Sequence, residues 1–153
     1  MASTYPLDPI LNHKFVVTVE GIGQIGVSEV TGLENENEVV EYREGQDPIA
    51  MRKITGMTSY SNVTIKRGIT TNSSEFLQWR QEVIANTMAS RRSVIIQISD
   101  GTGKPVRTLK LFKAWPVKMT IGDLSSSGND VLMEDMELAY EGLKITLENP
   151  NDT

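Results

Sequence analysis

Phe15-Val16-Val17-Thr18-Val19-Glu20 opens a run of β-branched segments. It continues through Val27-Ser28-Glu29-Val30-Thr31-Gly32-Leu33 and Glu38-Val39-Val40-Glu41-Tyr42-Arg43-Glu44-Gly45 to Val63-Thr64-Ile65-Lys66-Arg67-Gly68. Branched and aromatic residues fit a pleated surface, and the glycines punctuate the segments, so the run reads as successive strands. In the first, Phe15, Val17 and Val19 share one face and Val16, Thr18 and Glu20 the other.

Working outward, the remainder of the chain supports the same class. Ser93–Ser99 and Val106–Phe112 flank Asp100-Gly101-Thr102-Gly103-Lys104, whose turn chemistry predicts a hairpin. Lys113–Met119 is extended, with Pro116 marking an edge or a bulge. Val131–Tyr140 is a further strand, in which Leu132, Met136, Leu138 and Tyr140 share a face with Glu134. Leu143–Glu148 alternates and closes the fold. One helix interrupts the strands. Asn72 with Glu75 gives capping-box spacing, and Phe76, Trp79, Val83 and Ile84 recur at helical intervals up to about Ala89, with Leu77 beside them. Phe76, Trp79 and Val83 are its expected core anchors. About eight strands and one helix predict a mainly β, antiparallel sandwich or barrel with a flanking helix.

Two segments stand apart. Residues 1–14, with Pro6 and Pro9, read as an N-terminal arm. Residues 45–57 read as a long loop between strands. Gln46, Asp47, Pro48, Met51, Arg52, Lys53 and Ile54 give it mixed apolar and basic character, which suits contact with a partner. Before it, Glu34, Glu36 and Glu38 recur at period two, so in an extended chain they form one acidic, solvated face.

At 153 residues the chain is read as a single domain, 1–153, with 39% hydrophobic residues and a net charge of −5. The acidic balance argues against binding that rests on phosphate neutralisation, so no sequence-specific nucleic-acid recognition is expected. The absence of cysteine excludes disulfides, a thiolate nucleophile and zinc–sulfur sites. The N-terminus has no basic and apolar leader, and no apolar run approaches a membrane span. Synthesis in the cytoplasm without membrane insertion is the expectation.

No constellation carries chemistry. Gly21-Ile22-Gly23-Gln24-Ile25-Gly26 has dinucleotide-loop spacing, but Val27-Ser28-Glu29-Val30-Thr31 follows it as a strand where that site needs a helix, so it reads as a hairpin turn. His13, the sole histidine, sits in the proline-flanked arm and reads as a surface or packing residue. Glu34, Glu36 and Glu38 lack an EF-hand frame. Lys66-Arg67 and Arg91-Arg92 read as salt-bridging or interface charges. Trp79 reads as core; Trp115 fits core or interface equally. No enzyme activity, cofactor or metal is expected.

The ordered set of segments resembles the tail-tube, or inner-tube, protein family of contractile phage tails and related phage-tail-like injection systems. The resemblance rests on Asn12-His-Lys-Phe15-Val-Val-Thr-Val, Val30-Thr31-Gly32-Leu33-Glu34, Glu41-Tyr42-Arg43-Glu44-Gly45 and Asn62-Val63-Thr64-Ile65-Lys66-Arg67-Gly68. Leu111-Phe-Lys-Ala-Trp115-Pro116 and Glu137-Leu-Ala-Tyr140-Glu-Gly142 extend it over nearly the whole chain. It implies a structural subunit that forms hexameric rings, stacked into a tube, with strands of six subunits closing a shared lumenal barrel. The helix would lie outside, toward a sheath protein. Baseplate or hub proteins, a tube terminator, and lumenal cargo or a tape-measure protein would be the other partners, in a virion tail or an injection particle. Glu34, Glu36 and Glu38 become candidates for the lumen wall, and residues 45–57 for contact with a neighbouring subunit or ring. A hexameric ring of a bacterial secretion system and a monomeric ligand-binding barrel are the alternative readings.

Overall fold

A computed structural model describes residues 14–42, 45, 52–71, 74–85 and 90–148. Within them run strands β1 (Phe15–Val19), β2 (Gly23–Ile25), β3 (Glu29–Thr31), β4 (Asn35–Tyr42), β5 (Arg52–Tyr60) and β6 (Val63–Gly68). Helix α1 (Glu75–Ala85) follows, then β7 (Arg92–Ser99), β8 (Pro105–Ile121), β9 (Met133–Ala139) and β10 (Gly142–Leu147). All strand pairs are antiparallel.

The 17-residue strand β8 organises the fold. Its first half pairs with β7 on one side and β10 on the other; its second half, from Trp115, pairs with β9. The chain turns between the two halves at Lys113, which takes φ 53°, a left-handed conformation uncommon outside glycine. The sheet therefore splits into two wings. The β1 wing has the order β2-β1-β7-β8-β10, and the β6 wing the order β8-β9-β6-β3. The expected break in this segment is thus a bend within one strand, and the Pro116 bulge is seen as a register shift between Pro116 and Lys118.

Period-two patterning puts the apolar face of each wing inward. Val17, Val19, Val94, Ile96, Leu109 and Leu111 come from the β1 wing and Val63, Ile65, Met136 and Leu138 from the β6 wing; all are buried in one core. Helix α1 closes one end of it with Phe76, Trp79 and Val83. Trp79 Nε1 donates to the carbonyl of Ser90 at 2.7 Å, so its one polar atom is satisfied where the ring is buried. The helix starts at Glu75, and Ser74 holds the cap position, its carbonyl accepting from Gln78 N at 2.9 Å. The expected cap, Asn72, and the expected end near Ala89 lie outside the described residues. Ile84 and Leu77, counted with the apolar residues of the helix in the sequence, are exposed.

Gly21 and Gly23, at φ 80° and 103°, form the β1–β2 hairpin turn expected for that glycine-rich segment. The expected turn holds a short strand of its own, Gly23–Ile25, paired with β1, and within the second expected strand Glu29–Thr31 pairs with β6 in the other wing. The Asp100 turn is a side-chain-capped hairpin, in which Asp100 Oδ1 accepts from Thr102 N, Thr102 Oγ1 and Lys104 N. These bonds, the Thr102 hydroxyl first, hold its carboxyl below the ordinary carboxylate value.

Candidate assembly surfaces

Three features of the surface are built by the fold and have no partner among the described residues. The first is the outer face of the β6 wing. Two rows cross it: Glu29, Lys66, Asp135 and Thr120, and beside them Thr31, Thr64, Glu137 and Lys118. Each residue sits directly across from the next, so Lys66 lies opposite both Glu29 and Asp135, and Glu137 opposite Lys118. Asn62 Nδ2 donates to Glu137 Oε1 at 3.0 Å at the end of the second row. These two rows are polar, with both signs interspersed; the same face of β9 also carries Met133 and Ala139, and the wing's opposite face is core.

The second feature is that wing's two edges. Strand β3 pairs only with β6, and the Trp115–Ile121 half of β8 pairs only with β9. Both edges present backbone donors and acceptors that no strand among the described residues takes up. Open edges are templates for pairing with another chain.

The third is the β4–β5 hairpin, a separate two-stranded sheet. Its register continues that of β3 and β6 without slipping: Thr31 faces Thr64, Asn35 faces Tyr60, and one bulge follows between Asn37 and Val39. The bend between the two ladders lies at Gly32, at φ 87°, where a Cβ would come within 2.3 Å of the Asn62 carbonyl oxygen. Beyond the bulge, Val40 faces Ile54 and Tyr42 faces Arg52, while Glu41 faces Lys53. Val39, Val40, Tyr42, Ile54 and Met57 are all exposed. A lone hairpin is marginal in water, and an exposed apolar one more so.

The hairpin revises the sequence reading of residues 45–57. From Arg52 the segment is strand, paired with β4, so the loop is shorter than expected. Lys53 and Ile54 are exposed on β5. Gln46, Asp47, Pro48 and Met51 lie outside the described residues, as does the arm up to residue 13. Glu34, Glu36 and Glu38 are exposed, at the start of the hairpin. They are not in the two polar rows. Along the continuous ladder Glu34 and Glu36 share parity with Val30, which faces inward, rather than with Glu29 and Thr31.

Behind the β6 wing sits a charge cluster that the sequence reading did not place inside. Arg67 is 4% exposed. Its Nε donates to Glu134 Oε1 at 2.6 Å and its Nη1 to Glu75 Oε2 at 2.8 Å, and its guanidinium lies 4.0 Å from the centre of the Phe76 ring. The helix-start backbone hydrogen bond at Glu75 and then Arg67 hold the Glu75 carboxyl below its ordinary value. The cluster pins the first turn of α1 to β6 and β9. The signal was present in the sequence: Glu134 is the one carboxylate on an otherwise apolar strand face, and a buried carboxylate requires a cation. Arg91 pairs with Glu141 and Arg92 with Glu82, so these basic pairs are tied within the chain. Trp115 is half-buried and packs against the core.

The family model described as "T4-like virus tail tube protein gp19" matches residues 11–144. A chain of the six-fold symmetrised cryo-EM structure of the anti-feeding prophage baseplate superimposes with a TM-score of 0.80 at 26% identity, over 91% of this chain and 96% of that one. A chain of the PVC sheath–tube complex of an extracellular contractile injection system, in its extended state, gives 0.84 at 21% identity, over 97% and 100%. Hcp1 from Flavobacterium johnsoniae gives 0.53 at 15% identity, over 88% and 96%. No curated protein matches in sequence.

Proposed function

The chain belongs to the T4-like virus tail tube family, and on that premise we propose that it builds hexameric rings whose stacking forms the inner tube of a contractile injection particle. The observation that carries this reading is the β6 wing: two edges unpaired among the described residues, on opposite sides of one four-stranded unit, with two polar rows across its outer face. Pairing the β8 edge of one subunit with the β3 edge of the next satisfies both. A contact of this head-to-tail kind closes into a ring when the rotation allows. Six repeats give a continuous barrel with the polar rows facing the lumen and the core facing outward.

In this reading the rows of Glu29, Lys66, Asp135, Glu137 and Lys118 line the lumen, because they lie on the wing's outer face, and Glu34, Glu36 and Glu38 are exposed where the β4–β5 hairpin leaves it. Alternating charge with threonines along these rows gives cargo little apolar surface to adhere to and no single-sign field to trap it. The subunit works by shape and surface, without a catalytic step. The helix faces a sheath protein; a baseplate or hub, a terminator and lumenal cargo or a tape-measure protein complete the partners. Structural similarity is greater to the contractile-particle chains than to the secretion protein Hcp1, which favours the particle tube over a secretion-system ring.

Negative-stain electron microscopy of concentrated protein, with and without tube-bearing baseplates as nuclei, tests the reading. Hollow rods with six-fold end views are expected. Small discrete particles under both conditions would overturn it.

A further inference from the structure

The outer face of the β1 wing holds its charges against the preferences of the sheet. Lys144 on β10 lies directly opposite Lys110 on β8, and the row runs on through Ile95 and Thr18. Beside it run Thr146, Thr108, Gln97 and Val16. Like charges set directly across a ladder destabilise it. Among the described residues neither lysine pairs with a carboxylate. The Lys110 ammonium lies 5.2 Å from the centre of the Phe112 ring. Lys113 follows at the bend, its side chain 68% exposed, in the left-handed conformation that glycine takes without strain. Its Nζ lies 3.7 Å from Glu141, which Arg91 also holds. Glu148, at the far corner of the face, accepts from the Thr108 hydroxyl. Three lysines thus stand where pairing and backbone geometry favour other residues, in a chain of net charge −5. Departures of this kind mark surfaces retained for use.

We propose that Lys110, Lys113 and Lys144 form a patch that adheres to the anionic headgroups of a phospholipid bilayer. The inference rests on the tube reading in one respect: with the polar rows of the β6 wing on the lumen, the outer face of the β1 wing turns to the tube's exterior. Three observations select this occupant. The patch is built from lysine, whose compact ammonium on a flexible stem suits a diffuse layer of phosphates, whereas a carboxylate-rich protein segment favours the bidentate fork of arginine. The arginines nearby, Arg91 and Arg92, are tied to Glu141 and Glu82. Apolar side chains lie among the lysines on the same face, Phe112, Ile95 and Val16, all half-buried, and supply the second component of an interfacial surface. The acidic residues are gathered on other surfaces, Glu34, Glu36, Glu38 and Glu41 on or before the hairpin and Asp135 and Glu137 on the polar rows, so the patch meets a negative surface with its own sign dominant. Each lysine held near an anionic membrane strengthens binding about fivefold. Three give on the order of a hundredfold per subunit, and a ring of subunits multiplies this by avidity.

Co-sedimentation with vesicles tests this on the full chain, both as unassembled subunits and as tubes. Vesicles of phosphatidylcholine alone are compared with vesicles of equal parts phosphatidylcholine and phosphatidylglycerol. Binding to the mixed vesicles only, weakened by added salt and stronger for tubes, is expected. A chain carrying Lys110→Gln, Lys113→Gly and Lys144→Gln should lose about tenfold or more of that binding. Its unfolding temperature should hold or rise, because a like-charge pair and a strained backbone have been removed; a merely structural patch would show the reverse. Lys144→Glu is the second variant: it gives Lys110 a partner, so it should keep the fold and lose binding as well. Equal binding to both vesicles, or variants that bind as the wild type does, would overturn the proposal. So would capture of a polyglutamate peptide without capture of the mixed vesicles, which would give the face to an acidic protein segment. Vesicle binding by a wild-type chain that never forms tubes would overturn the tube reading and leave the patch standing.

Discussion

Arg67 Nε donates to Glu134 Oε1 at 2.6 Å across the β6–β9 ladder, with both side chains almost fully buried. Arg67 also holds Glu75, so one buried cation joins β6 and β9 to the start of the helix. Removing one partner strands a charge in the core. Glu134→Ala should therefore destabilise the fold by roughly 3–5 kcal/mol, whereas Arg67→Met with Glu134→Leu should recover most of that. Denaturant unfolding of both variants decides it; equal losses would show that the pair does not act as a unit.

Acid should weaken the same link. The Glu75 carboxyl is held below its ordinary 4.5, so in that range the unfolded chain binds more protons than the folded one. Its contribution is present above about 4.5 and is lost as pH falls through the depressed folded value. Unfolding midpoints measured from pH 6 to pH 3 should fall less steeply in Glu75→Gln than in the wild type. Superimposable curves would remove Glu75 from the account.

Trp79 is 1% exposed and its indole nitrogen bonds to Ser90. Trp79→Ala should cost about 3–5 kcal/mol, as large aromatic truncations in a packed core do. Thermal unfolding reads the loss, and a change within error would mean the helix does not plug the core.

Gly32 turns the continuous ladder from the wall into the hairpin. Gly32→Ala meets both a positive φ and a backbone oxygen, so it should destabilise by more than about 1 kcal/mol and reorient the hairpin. Tube yield should drop more than monomer stability does, judged by microscopy beside calorimetry. Normal tubes would show the bend to be dispensable.

Val40 and Ile54 face one another, so a two-residue Asn-Gly turn can join them directly and delete residues 41–53. The body should keep its unfolding temperature, because neither strand belongs to the core, while tube growth should stop. Tubes of normal length from this variant would free the hairpin from any assembly role.

Local chemistry made much of this fold legible. The Asp100 hairpin, the glycine turn after β1, the burial of Phe76 and Trp79 and the closing strand β10 each follow from a few adjacent residues. What escaped depended on distant partners. Arg52–Tyr60 has no alternating apolar pattern, because it is held by its ladder with β4 rather than by a core, so it reads as loop. The bend at Lys113 has no sequence mark, since lysine seldom takes φ 53° unless tertiary structure imposes it. Arg67 reads as a salt-bridging or interface charge, and only the register, by setting it opposite Glu134, shows that the bridge is buried. The acidic run is legible only in part for a related reason: period two shows that Glu34, Glu36 and Glu38 share a face, but not which sheet the face belongs to.

The unslipped register from β3 and β6 into β4 and β5 has a mechanical meaning. Strands that continue through a bend carry load along covalent backbone and a row of hydrogen bonds stressed together, not through a slack connection. A push or twist delivered to the paired strands of the hairpin would therefore arrive in the β6 wing, by way of the bulge at Asn37–Val39 and the glycine elbow. Each subunit is in this sense a rigid lever with its fulcrum at Gly32, and a column of them would transmit thrust from end to end with little of it spent in bending loops.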